Sequence, residues 1–190
     1  MLQWLTALWL PIIVSAVGVY AASSLIHMVF KWHNADYKKF PNEDDVRAAI
    51  RAGNTQGGGE YMLPYCASPN DAGKPEMQKK FQEGPIGLLM IQPPGATPGI
   101  GKALGLWFAF NLATAMVIGY IAYKALLEPA TFGQVARLTG GLAFLGYATG
   151  GIQYGIWMGK PWKSVSKDVL DAVIYAAITG VAFATLWSRS

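Results

Sequence analysis

Few residues in this chain could react or hold a ligand, and they are scattered. His27 is the only histidine inside an apolar run, with Ser23 and Ser24 one turn before it. Histidine in a membrane helix is the usual axial ligand of haem or (bacterio)chlorophyll, which makes His27 the candidate cofactor-binding residue. The competing reading is an interfacial imidazole that reaches water or headgroups, because His27 sits near one end of its run. A haem between helices normally takes two histidines, and the other one, His33, lies past Lys31 and is expected at the surface. Cys66 is the lone cysteine, so no internal disulfide can form, and no histidine stands near it in sequence to activate a nucleophile. Glu43, Asp44 and Asp45 are placed as the first turn of a helix places acids, next to the positive end of its dipole. No paired-cysteine motif, phosphate loop or basic nucleic-acid surface is present, so no catalytic residue, metal site or nucleic-acid partner is assigned, and the chain is not expected to be an enzyme.

The most unusual pattern is one of small residues. Gly146, Gly150, Gly151, Gly155 and Gly159 recur along one apolar stretch, and small residues match them at Gly18 and Ala22 in the first stretch and at Ala176 and Gly180 in the last. Small residues four apart let helix backbones approach closely in lipid, where packing rather than the hydrophobic effect drives association. The pattern implies close contact. It leaves open whether the contact is within the chain, with a partner subunit, or with a flat cofactor or lipid.

The elements that carry these residues are membrane spans. Four apolar stretches run at about Leu5–Phe30, Ala103–Leu127, Val135–Trp157 and Val169–Trp187. Each approaches or exceeds the roughly 20 residues that cross a hydrocarbon core of about 30 Å. The chain is 53% hydrophobic and 14% charged, with a mean hydropathy of +0.28, too apolar for an ordinary soluble domain of this size. The expected fold is an all-α transmembrane four-helix bundle, with a small α+β extramembrane cap between spans one and two. Residues 1–30 form the first span, 31–102 the cap segment and 103–190 the remaining spans. Val19-Tyr20-Ala21 imitates a signal-peptide cleavage site, but the start has no positive residue and the run continues to Phe30, so span one is read as an uncleaved anchor.

Charge orients the spans. Lys31, Lys38, Lys39, Lys102, Lys160, Lys163 and Lys167 fall on one side, against Lys124, Arg137 and Arg189 on the other. The positive-inside rule then puts residues 31–102 in the cytoplasm and both termini in the periplasm. No acid or base lies at mid-depth in a span, which argues against a pump, an ion-coupled transporter or a proton channel. Within the cap, Asn42 and the acids after it open a short helix over Glu43–Ala52, closed by Gly53. Glu60–Tyr65 and Ile86–Ile91 read as strands, Glu76–Glu83 as a second helix after Pro75, and Pro98-Gly99 turns the chain back to the bilayer. Asp168 is placed to cap the last span.

Three segments together, Ser23-Ser-Leu-Ile-His-Met-Val-Phe-Lys-Trp-His33, Pro41-Asn-Glu-Asp-Asp-Val-Arg-Ala-Ala-Ile-Arg51 and Gly155-Ile-Trp-Met-Gly-Lys-Pro-Trp162, resemble an uncharacterised family of small bacterial inner-membrane proteins. The resemblance covers most of the chain and implies a membrane location without an activity. The function expected from the sequence is a non-catalytic accessory subunit of a bacterial inner-membrane complex of electron transport, respiratory or photosynthetic. Its partners would be membrane lipids and larger subunits. The alternative is a stand-alone haem-, pigment- or quinone-binding protein using His27.

Overall fold

The computed structural model describes residues 3–96 and 99–188; Pro98 of the expected turn and Arg189 of the charge tally lie outside the described residues. The described residues are mostly helical and divide into two compact units, one of residues 3–37 and 99–188 and the other of residues 38–96. The first unit holds α1 (Gln3–Ser24), α4 (Ile100–Ala125), α5 (Phe132–Met158) and α6 (Trp162–Thr185); the second holds α2 (Glu43–Ala52) and α3 (Pro75–Glu83) with strands β1 (Gly59–Leu63) and β2 (Gly87–Ile91).

Three helical stretches are long and apolar enough to cross a membrane: Gln3–Phe30, Ile100–Ala125 and Trp162–Thr185. At about 1.5 Å per residue, each exceeds the thickness of a hydrocarbon core. The fourth expected span is a helix of 27 residues, α5, but it is not among these three, because no long stretch of it is apolar enough. Its glycines together with Gln134, Arg137, Thr139, Thr149 and Gln153 dilute the hydrophobic residues.

The four helices pack as a ring, α1 against α4 and α6, and α5 against α4 and α6. Leu8, Ile12 and Ala16 of α1, Ala115 and Ile118 of α4, Val135 and Ala143 of α5 and Phe183 of α6 fill the centre. The buried Ser15 hydroxyl donates to Thr179 Oγ1 at 3.1 Å, tying α1 to α6. Pro11 lies inside α1 and has no N–H for the Ala7 carbonyl one turn back. Ser188 Oγ donates to that carbonyl instead, at 3.2 Å.

Small residues set the spacing of α5 and α6. A Cβ on Gly180 would stand 2.9 Å from the Ala136 carbonyl oxygen, and one on Gly140 would stand 3.2 Å from that of Ala176. The backbones therefore nearly touch. Gly151 faces Asp168 and Gly155 faces Val165, both on α6; Gly18 of α1 faces Ile178; Gly146 stands loosely beside Thr114 of α4. Ala22 packs on the cluster of Val19, Ile26 and Tyr175. Gly159 ends α5 in the left-handed conformation (φ 70°), and Gly150 has open space beside it.

One expectation about a helix start needs correction. Asp168 does not cap α6, which begins six residues earlier at Trp162 after Pro161; its carboxylate accepts instead from Lys160 Nζ at 2.5 Å. Gln153 and Tyr154, polar residues of α5, are exposed and make no hydrogen bond to a neighbouring helix among the described residues. Asn111 does make such a bond, accepting from Tyr147 OH at 3.0 Å.

In the 38–96 unit, β1 and β2 pair antiparallel from Gly59↔Ile91 to Leu63↔Gly87. The chain between them is punctuated by a 3₁₀ turn whose Ser68 and Asp71 form a reciprocal capping box. Lys74, bonded to Asp71, holds that carboxyl below its ordinary range, with help from Ser68.

Candidate functional site

The site forms where α1 stops being an α-helix. A π-helical turn follows over Leu25–Phe30, and Lys31 then takes a left-handed conformation (φ 54°) that reverses the chain. That conformation costs a non-glycine residue about 1–2 kcal/mol, so tertiary contacts must hold it. A 3₁₀ turn over Trp32–Asp36 folds back and lays His33 on His27, the rings parallel within 2° and their centroids 4.7 Å apart. π-turns of this kind occur often at functional sites.

The wall opposite is α6. Lys167 and Asp171 stand one turn apart on one face. His33 Nε2 donates to Asp171 Oδ2 at 2.9 Å, and His33 Nδ1 lies 3.1 Å from Asp36 Oδ2. Lys167 Nζ donates to Asp36 Oδ1 at 2.6 Å and to the Trp32 carbonyl at 2.7 Å. The chain Lys167–Asp36–His33–Asp171 thus clasps the end of the first span to the start of the last. These four side chains are largely shielded, the Asp171 side chain being only 7% exposed. The hydrogen bond from Lys167 holds the Asp36 carboxyl below its ordinary range, outweighing burial, with the His33 bond adding to the effect.

His27 stands apart from the clasp. Its Nδ1 lies 3.0 Å from the Ser23 carbonyl, which can only accept, so Nδ1 carries a hydrogen and Nε2 is the nitrogen that bears the lone pair in the neutral imidazole. Nε2 reaches only to 3.9 Å from Asp171 Oδ2, and half of the side chain is exposed. Asp171 Oδ1 is buried without a hydrogen-bond partner. One ligand atom each from His27, His33 and Asp171 lie within 4.8 Å of one another.

Of the residues marked from the sequence, His27 is at this site and the glycines are not. His33, expected alone at the surface, is its centre, and Asp36, Lys167 and Asp171 join it. The i,i+4 spacing of Lys167 and Asp171 is a signal visible in the sequence. The reversal at Lys31 is not, because a lysine gives no warning of a left-handed turn. A macrocycle does not fit between histidine rings stacked at 4.7 Å, so the pair is not a bis-histidine haem site. Cys66 and the acids Glu43, Asp44 and Asp45 belong to the other unit. No protein-family model, curated protein or solved structure matches the chain.

Proposed function

We propose that the chain is a non-catalytic accessory subunit of a bacterial inner-membrane assembly. In this reading α5 is the fourth span, both termini are periplasmic and the segment between spans one and two is cytoplasmic. An electron-transport assembly, respiratory or photosynthetic, is the class proposed. The observation that carries the accessory role is the outward face of α5. Gly141, Leu145, Thr149, Gly150 and Gln153 are all exposed there, and nothing approaches Gly141 or Gly150 within 4 Å. An amide and a smooth glycine surface facing lipid forgo the packing and interhelical hydrogen bonds that hold membrane helices together, and a partner helix supplies both.

A photo-crosslinking residue at Thr149 tests this in cells, with one at the exposed Val181 of α6 as the control. The expected result is a discrete adduct with another membrane protein from position 149 only. Lipid adducts alone, or the same adducts from both positions, would overturn it.

A second reading, a stand-alone cofactor-binding membrane protein, is favoured by one observation, the contact of His27 Nδ1 with the Ser23 carbonyl, which leaves Nε2 as the nitrogen available to a ligand. The chain purified alone would then be coloured by haem or pigment, whereas the accessory subunit is colourless.

A further inference from the structure

We propose that His27, His33 and Asp171 bind one divalent transition-metal ion through His27 Nε2, His33 Nε2 and the Asp171 carboxylate. The proposal is independent of the accessory role.

The salt-bridge clasp explains His33, Asp36 and Lys167 but leaves two groups unexplained. His27 Nε2, the nitrogen not engaged by the Ser23 carbonyl, stops 3.9 Å from Asp171 Oδ2, too far for a hydrogen bond. Asp171 Oδ1 is buried with no hydrogen-bond partner among the described residues, although a buried carboxylate oxygen normally has one. A single cation gives His27 Nε2 a partner and, held by both oxygens of the Asp171 carboxylate, gives Oδ1 one as well. The spacing agrees: ligand atoms about 2.0–2.1 Å from a tetrahedral ion lie roughly 3.3 Å apart, and the distances to Asp171 Oδ2 of 2.9 Å and 3.9 Å bracket that value. To point both Nε2 lone pairs at one ion, one imidazole must turn out of the parallel stack, and the half-exposed His27 is the one free to do so.

The outer contacts are those a metal site needs. Metal-bound histidines present one nitrogen to the ion and donate the other N–H to a carbonyl or carboxylate, which fixes the tautomer and the ring orientation. His27 does this through Nδ1 to the Ser23 carbonyl, and His33 through Nδ1 to Asp36, itself held by Lys167. On binding, the ion takes the place of the hydrogen between His33 Nε2 and Asp171 Oδ2.

Two imidazoles and one carboxylate select first-row divalent ions such as zinc or ferrous iron over calcium and magnesium, which prefer all-oxygen shells, and over cuprous ion, which prefers sulfur. Three protein ligands leave a coordination position for water or a small ligand, on the side where His27 is exposed.

The test uses the full chain in detergent, purified through a tag without histidines, stripped with chelator and titrated with zinc. Cobalt then serves as a spectroscopic probe. The expected result is one zinc per chain, a raised thermal transition, and visible cobalt absorption of tetrahedral type. His27→Ala should bind zinc at least about tenfold more weakly. That variant removes the ring stacked on His33 but none of the clasp's hydrogen bonds, and its thermal transition without metal checks that it is folded. His27→Ala combined with Asp171→Asn should abolish binding. Zinc uptake no greater than that of the double variant, or equal in wild type and His27→Ala, would overturn the proposal and leave the cluster as a salt-bridge clasp only.

Discussion

Asp171 joins two helices through one carboxylate. Its oxygen accepts from a histidine that arrives 138 residues earlier in sequence, so its loss frees the Lys31 turn to unwind. Asp171→Ala should lower stability by about 3 kcal/mol, the order expected when one partner of a shielded ion pair is removed; a thermal melt in detergent measures it. Asp36 gives a pH dependence. Its carboxyl is lowered in the folded protein, chiefly by Lys167, so its contribution is present above the ordinary carboxylate value and is lost as pH falls through the folded one. The Lys167–Asp36 pair should therefore persist through the neutral range and weaken only below about pH 4. In Lys167→Met the Asp36 carboxyl should titrate at higher pH than in the wild type, as carboxylate infrared bands with site-specific labelling would show. Spacing alone marks His27 but misses its neighbours, because nothing local in Lys31-Trp32-His33 announces that the chain turns back. The contact that builds the site is long-range, and helical periodicity reports only what is near.

At the scale of elements, local signals and global packing part company. The helix Glu43–Ala52 lies where Asn42, three first-turn acids and Gly53 put it, since caps act through the adjacent backbone. The two strands also fall close to their apolar runs, and they pair antiparallel around the intervening helix α3. Hydropathy places the start of α6 too late, near Asp168 and Val169. Pro161 at the helix start outranks Asp168 as a boundary, and a polar first turn conceals helix from a hydropathy reading. The glycines are conspicuous in the sequence, but their direction is not. Gly180 and Gly140 mediate the closest backbone approach, whereas Gly150 looks outward. Gly180→Ala should cost about 1–3 kcal/mol, since its methyl meets the Ala136 carbonyl and a backbone must move. Gly150→Leu should leave the melting temperature of the isolated chain unchanged. Thr179→Val, which breaks the buried bond to Ser15, should cost only about 0.6 kcal/mol, the typical worth of an interhelical hydrogen bond in lipid.

For the whole molecule, the distribution of polar groups is the informative quantity. One shielded polar cluster sits where the first and last spans meet, and one polar, small-residue stripe lies on the outside of α5. The first fastens the chain to itself. The second, in the accessory role we propose, fastens the chain to others. The division separates variants by phenotype: changes at Asp171 or Gly180 weaken the folded chain, whereas Gly150→Leu leaves it folded and removes it from its assembly. The most direct measurement is the composition of the particle that the tagged native chain brings out of the membrane in mild detergent, by quantitative mass spectrometry, for wild type and Gly150→Leu side by side. An accessory subunit should bring stoichiometric larger membrane subunits with the wild type and lose them with Gly150→Leu. A chain recovered alone, or the same subunits with both proteins, would contradict that role.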